Sequence, residues 1–309
     1  MKLIKRNIAG FSLFVDKDDP GISATLKKTK GFKKWHREPE FMDIIESSIS
    51  KNDKVCDLGA NIGYVTLIMA RLVGEKGQIV AIEPSPHNFK ILKKMVRYND
   101  LEENVELMHY AISNFKKEIE FNLSSASNLH SIKKTIHTIE SIKINAISLD
   151  EIYQDRIPPT FIKMDIEGGE LEALQGMRNI TSNKQNNMRI LMEIHPMYYD
   201  HNKFKEELEF LFNHGFKVKY MTSAGIAEPD FLKKKGYKPN KVYTTGDFSR
   251  GLYEDIDNET AIQACCQNHS QLVKRRMIGM IKRFIKNPFN DIERNIISEK
   301  IVRAICLER

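Results

Sequence analysis

The chain has 309 residues, 41% of them hydrophobic, and its 48 basic and 41 acidic side chains leave a formal net charge of +7. That length and composition suit one sizeable domain with appendages. Four cysteines without a C-x-x-C pair exclude a disulfide framework and a cysteine metal knuckle, and no apolar run approaches the ~20 residues of a membrane span, so a reducing, cytoplasmic setting is expected.

Residues 1–50 read as a short strand pair followed by a helix from Glu40 to Ile49. The apolar piece Ile8–Val15 is broken by Gly10 and Ser12 and carries no small-residue cleavage site, so it reads as a strand and not as a signal peptide. Residues 51–222 then alternate strand and helix, which implies a parallel sheet.

The first strand of that alternation, Lys54-Val55-Cys56, runs into Asp57-Leu58-Gly59-Ala60-Asn61-Ile62-Gly63 and a helical pattern from Tyr64. Strand, glycine turn and helix is how α/β proteins hold a nucleotide-like ligand. The glycines allow a tight turn, and the helix N-terminus offers free N–H groups. The spacing is not the dinucleotide fingerprint, because the middle glycine of G-x-G-x-x-G is missing. Asp57 ahead of the first glycine disfavours a pyrophosphate and suits a cationic ligand such as S-adenosylmethionine (SAM), which carries an ammonium and a sulfonium. A second strand, residues 78–82, ends in Glu83-Pro84, with Glu83 twenty residues after Gly63. A doubly wound fold places there the carboxylate that takes both ribose hydroxyls. The helix from Pro86 to Tyr98 buries Phe89, Leu92 and Val96.

The third strand spans 105–113, and His109 to Ala111 at its end are placed to line an adenine pocket; for His109 an ordinary strand end is an equal alternative. An insert, residues 114–150, alternates at Ile119-Phe121-Leu123 and Ile142-Ile144-Ala146. It reads as a hairpin with Ser124–Asn128 at its tip, shaping an acceptor pocket or simply facing solvent. The fourth strand, Phe161-Ile162-Lys163-Met164, delivers Asp165 and Glu167 before Gly168-Gly169 and a helix with Leu171, Leu174 and Met177 on one face. Glu167 and Glu170 also suit a helix's first turn, whereas Asp165 stands at the carboxyl edge of the sheet, where such folds bind ligands. The fifth strand, 189–193, repeats the design with Glu193 and His195 at its end, and the helix 204–213 stops at Gly215.

Residues 223–309 hold a basic, turn-rich stretch at 233–239 and, at 273–286, apolar residues at helical spacing interleaved with Lys and Arg and no acid. The latter reads either as a helix docked on the core with a solvated basic face or as a basic amphipathic helix on an anionic membrane or polymer.

Four segments together resemble the FkbM family of SAM-dependent methyltransferases: VCDLGANIGYVT (55–66), AIEPSPHNFKIL (81–92), FIKMDIEGGELEALQGM (161–177) and LMEIHP (191–196). DPGIS (19–23) and the Glu38 region resemble the family's lead-in, and the likeness runs roughly from 11 to 222. It implies a class I methyltransferase fold, Rossmann-like and doubly wound, with a mostly parallel seven-stranded sheet between N- and C-terminal extensions. It also implies SAM as cofactor and methyl transfer to a hydroxyl of a sugar, glycan or related small metabolite. The cofactor would then meet Asp57, Gly59, Ala60, Asn61, Gly63, Glu83, Pro84, His109, Ala111 and Asp165. In the family's fold strand four lies beside strand one, so Asp165 is the first choice of base, ahead of His195 and with Glu193 nearby. Metal-free catalysis is preferred; Asp165, Glu167, Glu193 and His195 gathering one hard divalent cation is the alternative. The other readings are an RNA or protein methyltransferase, an NAD-dependent oxidoreductase and a non-catalytic SAM-binding protein. Nucleic acid is not expected, since the fourth strand lacks an Asn/Asp-Pro-Pro-Tyr loop and interleaved aromatic and basic residues are few. Oligomeric state is not legible.

Overall fold

The computed structural model describes residues 2–8, 10–28, 37–245, 248–266 and 301–309. The lead-in is the antiparallel pair β1 (Leu3–Ile8) and β2 (Phe11–Asp16), then helices α1 (Ile22–Lys28) and α2 (Pro39–Ser48). The alternating region follows as β3 (Lys54–Leu58), α3 (Tyr64–Val73), β4 (Gln78–Ile82), α4 (Pro86–Tyr98), β5 (Val105–Met108) and β6 (Ala111–Ile112). The insert contributes β7 (Lys117–Ser124), a 3-10 turn at Ser127–Leu129, and β8 (Thr138–Ile147). Next come α5 (Leu149–Ile152), β9 (Phe161–Met164), α6 (Glu170–Gln175), α7 (Arg178–Ser182), β10 (Arg189–Glu193), α8 (His201–Asn213) and β11 (Lys217–Ser223). The C-terminal region supplies α9 (Asp230–Lys234), β12 (Lys241–Thr245), β13 (Phe248–Glu254), α10 (Asn258–Cys266) and β14 (Val302–Glu308).

Local chemistry sets several boundaries. Ser85 caps α4 by accepting from the Asn88 N–H, with Pro86 at the first helical position. Asp200 caps α8 by accepting from the N–H groups of Asn202 and Lys203. Ser148 and Glu151 form a reciprocal capping box at α5.

Among the described residues the main sheet has nine strands in the order β12-β13-β11-β14-β10-β9-β3-β4-β5. From β5 to β10 neighbouring strands are parallel; β14 runs antiparallel between β10 and β11. The expected seven-stranded sheet is therefore corrected: the seven strands β5 to β11 are extended by the hairpin β12–β13, which pairs with the open edge of β11. The last strand of the 223–309 region is interior to the sheet, while 273–286 lies outside the described residues. Successive strand residues feed opposite faces. Val55, Ile79, Phe161 and Leu191 pack with α2, α3 and α4, whereas Cys56, Ile82, Ile162 and Ile190 pack with α5, α6, α8 and α10. The result is a helix–sheet–helix sandwich whose parallel strands β3, β4 and β9 end at one edge. The insert forms its own sheet, β6-β8-β7, with Phe121 opposite Ile142. No helix among the described residues is long and apolar enough to cross a membrane.

Candidate functional site

A cavity opens at the carboxyl ends of β3, β4 and β9, the edge where open parallel sheets take ligands. Its floor is the turn after β3. Gly59 has φ +74°, and a Cβ there would lie 2.1 Å from the Asp165 carbonyl oxygen, so only glycine lets the β3 and β9 loops pass this closely. Asn61, also left-handed at φ 52°, accepts from the Ile62 N–H through Oδ1 (2.8 Å) and donates from Nδ2 to the Ser127 carbonyl (3.1 Å).

Glu83 closes the side wall. It is 4% exposed; Oε2 accepts from the Asn61 N–H (2.8 Å) and Oε1 from the Ser85 N–H (2.9 Å). Each oxygen keeps a further lone pair, so the group can accept two neighbouring hydroxyls. Burial pushes its pKa up to about 7, although the two N–H groups and Lys163 pull the other way.

Lys163 is the residue that motif reading passed over. It lines the cavity floor almost fully buried, with Nζ 3.1 Å from Asp57 Oδ1 and donating to the Leu58 (3.1 Å) and Gly59 (2.9 Å) carbonyls. Burial alone would lower its pKa, but Asp57 and Asp165 outweigh it and hold the ammonium above the ordinary lysine value. Asp57 also accepts from the Thr66 hydroxyl (2.7 Å). The charge expected to face a cationic ligand is thus held beneath the turn by an ion pair.

At the other end of the cavity Asp165 follows β9, and burial together with the neighbouring Glu193 raises its pKa. Its Oδ1 is buried and accepts no hydrogen bond from any described residue. Glu167 is in the left-handed region at φ 50°. Behind them His195, 3% exposed, has Nδ1 2.9 Å from Glu170 Oε1, while Nε2 lies 3.5 Å from Glu167 Oε2 and 3.6 Å from Glu193 Oε1. Glu193 is tied to Arg303 (3.4 Å), which also meets Glu38 (2.5 Å) and Glu40 (3.6 Å); Glu40 in turn pairs with Arg250 (2.7 Å).

Of the residues expected to meet a cofactor, Gly59, Ala60, Asn61, Glu83, Pro84, Ala111 and Asp165 line the cavity. Asp57, Gly63 and His109 are not among its lining residues. Gly63, at φ +89°, lies under Met95, where a Cβ would come within 1.9 Å of Cε. His109 stacks on Phe89 at 4.7 Å and bonds the Pro84 carbonyl, so its neighbour Tyr110 lines the wall instead. Glu193 and His195 stand behind Asp165 as a second row. The insert supplies Phe121, Ser127 and His130, whose imidazole is held near pKa 4 by burial. Only its alternating pattern hinted at that role.

The fold and cavity set a cluster of carboxylates at the sheet edge where open α/β folds take ligands. Residues 57–218, a little over half of the chain, match the methyltransferase FkbM domain. The chain belongs to the FkbM methyltransferase family. It is 28% identical over 163 residues to the hexuronic acid methyltransferase AglP of Haloferax volcanii, a match covering 51% of this chain and 62% of that protein. The chain thus spans about three fifths of that relative's length. Among solved structures it is similar to the FkbM methyltransferase of Methylobacillus flagellatus KT, with TM-score 0.43 and 18% identity over 67% of this chain and 44% of that one. It is also similar to M. jannaschii TYW2 in complex with AdoMet, with TM-score 0.34 and 14% identity over 82% of this chain and 87% of that one.

Proposed function

We propose that the protein is a SAM-dependent O-methyltransferase acting on a hydroxyl of a sugar or glycan. The observation that carries this reading is Glu83, a buried carboxylate with spare lone pairs at the end of β4, sharing one cavity with Asp165. The chain's residues fit the cofactor: Glu83 would accept the two ribose hydroxyls, and Tyr110, Ala111 and Ile112 offer a flank for the adenine. The Gly59–Asn61 turn and Asp165 would then face the methionine end. Bound SAM supplies a methyl group on a sulfonium, open to in-line attack.

The protein must align the acceptor oxygen and take its proton. Asp165 lines the cavity and would take that proton, a role its raised pKa favours over that of an ordinary aspartate. His195 and Glu193 sit behind it, with His195 Nε2 3.6 Å from Glu193 Oε1. The sugar acceptor is suggested by the hexuronic acid methyltransferase relative. The insert β7–β8 would wall the acceptor side.

Calorimetric titration with SAM, and with NAD as a control, tests the reading, followed by labelled-methyl transfer to a panel of hexuronic acids and neutral glycans. SAM should bind, Glu83→Ala should weaken it at least ~10-fold, or about 1.4 kcal/mol, and Asp165→Asn should lower turnover while keeping SAM affinity. Absence of SAM binding overturns the proposal; loss of only SAM binding in Asp165→Asn removes that residue as the base.

A further inference from the structure

We propose that Asp165, Glu167 and His195 form a binding site for one divalent cation at the acceptor end of the cavity. Two pieces of chain deliver them: the loop after β9 carries Asp165 and Glu167, and the segment after β10 carries His195. One ligand atom from each residue lies within 4.8 Å of the others, and His195 Nε2 is 3.5 Å from Glu167 Oε2. Metal–ligand bonds of ~2.0–2.2 Å put adjacent octahedral ligands ~3 Å apart and opposite ones ~4.3 Å apart. The His195–Glu167 pair would have to close by about 0.5 Å to serve as adjacent ligands, a movement within side-chain rotation.

Two further observations point to a cation and not merely to an acidic surface. The first is the orientation of His195. Its Nδ1 faces Glu170 Oε1 at 2.9 Å, and Glu170, fully buried, is itself fixed by the Gly168 N–H (3.1 Å). With a proton on Nδ1 shared with Glu170, Nε2 would be the atom offered to a cation beside Glu167, the carboxylate–histidine arrangement that orients metal ligands. The second is Asp165 Oδ1, a buried carboxyl oxygen to which no described residue donates. Burying such an oxygen unpaired is costly, and a cation among Asp165, Glu167 and Nε2 would remove the cost. The left-handed backbone at Glu167 is a strained conformation of the kind found at ligand clamps. One imidazole with two carboxylates suits Mn²⁺ or Mg²⁺ with water completing the shell, rather than Ca²⁺, which prefers an all-oxygen cage.

The catalytic consequence rests on the methyl-transfer reading above. The cation would take the acceptor hydroxyl and lower its pKa. Asp165, bound through one oxygen, keeps the other for the proton. The O–H bond breaks with its proton passing to Asp165 and the oxygen–carbon bond forms. The carbon–sulfur bond breaks with its electron pair on sulfur.

The test uses the full chain stripped with EDTA and titrated with Mn²⁺, read by loss of the free-ion EPR signal and by water proton relaxation. One saturable site per chain is expected, displaced by excess Mg²⁺. Glu167→Gln and Asp165→Asn should each weaken Mn²⁺ at least ~10-fold, and Glu170→Gln about 10- to 100-fold through the misoriented imidazole. Circular dichroism should show all three folded. No saturable binding up to millimolar Mn²⁺, or an unchanged Kd in both Glu167→Gln and Asp165→Asn, overturns the site. SAM calorimetry on the same stripped protein separates the two ideas. SAM binding without Mn²⁺ binding sinks the cation site alone, whereas failure of both sinks the methyl-transfer reading with it.

Discussion

In the proposed ribose-binding role, Glu83 would tie ligand binding to pH. With its pKa near 7, the free protein holds a proton there in mildly acid solution, whereas accepting two hydroxyls and two N–H groups requires the carboxylate. SAM affinity should therefore be full above about pH 8 and fall as pH drops through 7, by at most ~10-fold per pH unit. The effect on the free protein's stability has the opposite sense. A folded pKa above the ordinary 4.5 favours the native state at low pH, and that contribution is lost as pH rises from 4.5 through 7. Titrations at pH 6, 7 and 8 with wild type and Glu83→Gln check this; the same slope in both would remove Glu83 as its source. Glu83, Gly59 and Asp165 were legible because strand ends and glycine turns have local signatures. The partner of Asp57 was not. Lys163 stands directly across the parallel register from it, more than a hundred residues later, and only strand order brings the two together.

At the scale of elements, one buried carboxylate knots three segments. Asp19 accepts from the N–H groups of Gly21 (2.9 Å), Ser23 (2.9 Å) and Ser127 (3.0 Å) and from the Ser127 hydroxyl (2.8 Å). Burial works against its ionisation, but these donors prevail and hold its pKa below the usual aspartate value. The Ser127 carbonyl then accepts from both Asn61 and Asn88, so the lead-in loop fixes the insert and the insert fixes the turn after β3. Asp19→Ala should cost about 1–3 kcal/mol of stability and raise the SAM Kd several-fold, read by thermal melting and calorimetry. An unchanged Kd in a destabilised variant would show that the knot serves folding alone. The insert's hairpin was visible in its alternating residues, but its contact with the lead-in was not, because serine and aspartate at a loop tip look the same whether solvated or buried. The β12–β13 hairpin had a signal that went unused: Val242-Tyr243-Thr244 and Phe248, flanking Gly246-Asp247, is a strand–turn–strand composition.

At the scale of the molecule, β14 joins what sequence order separates. Ile305 is fully buried and stands opposite Met192 of β10 and Met221 of β11. Arg303 beside it spans Glu38 and Glu193, and the strong field of these carboxylates keeps it charged although buried. Ile305→Ala should lower unfolding free energy by about 2–5 kcal/mol, with circular dichroism and loss of SAM binding shifting together in urea. A biphasic curve in which SAM binding outlives the first transition would show that the β11–β13 end melts separately. The alternation of strands and helices foretold the parallel half, but nothing local marks residues 302–308 as a central strand, since an apolar run reads alike at an edge or in the middle. The placement has a consequence for synthesis. A ribosome releases β10 and β11 long before β14, so the nascent chain carries a gap in its sheet with two unpaired edges until residue 308 has emerged. Until then both edges stand open to pairing with other chains, so the step most exposed to misassembly is the last one in synthesis.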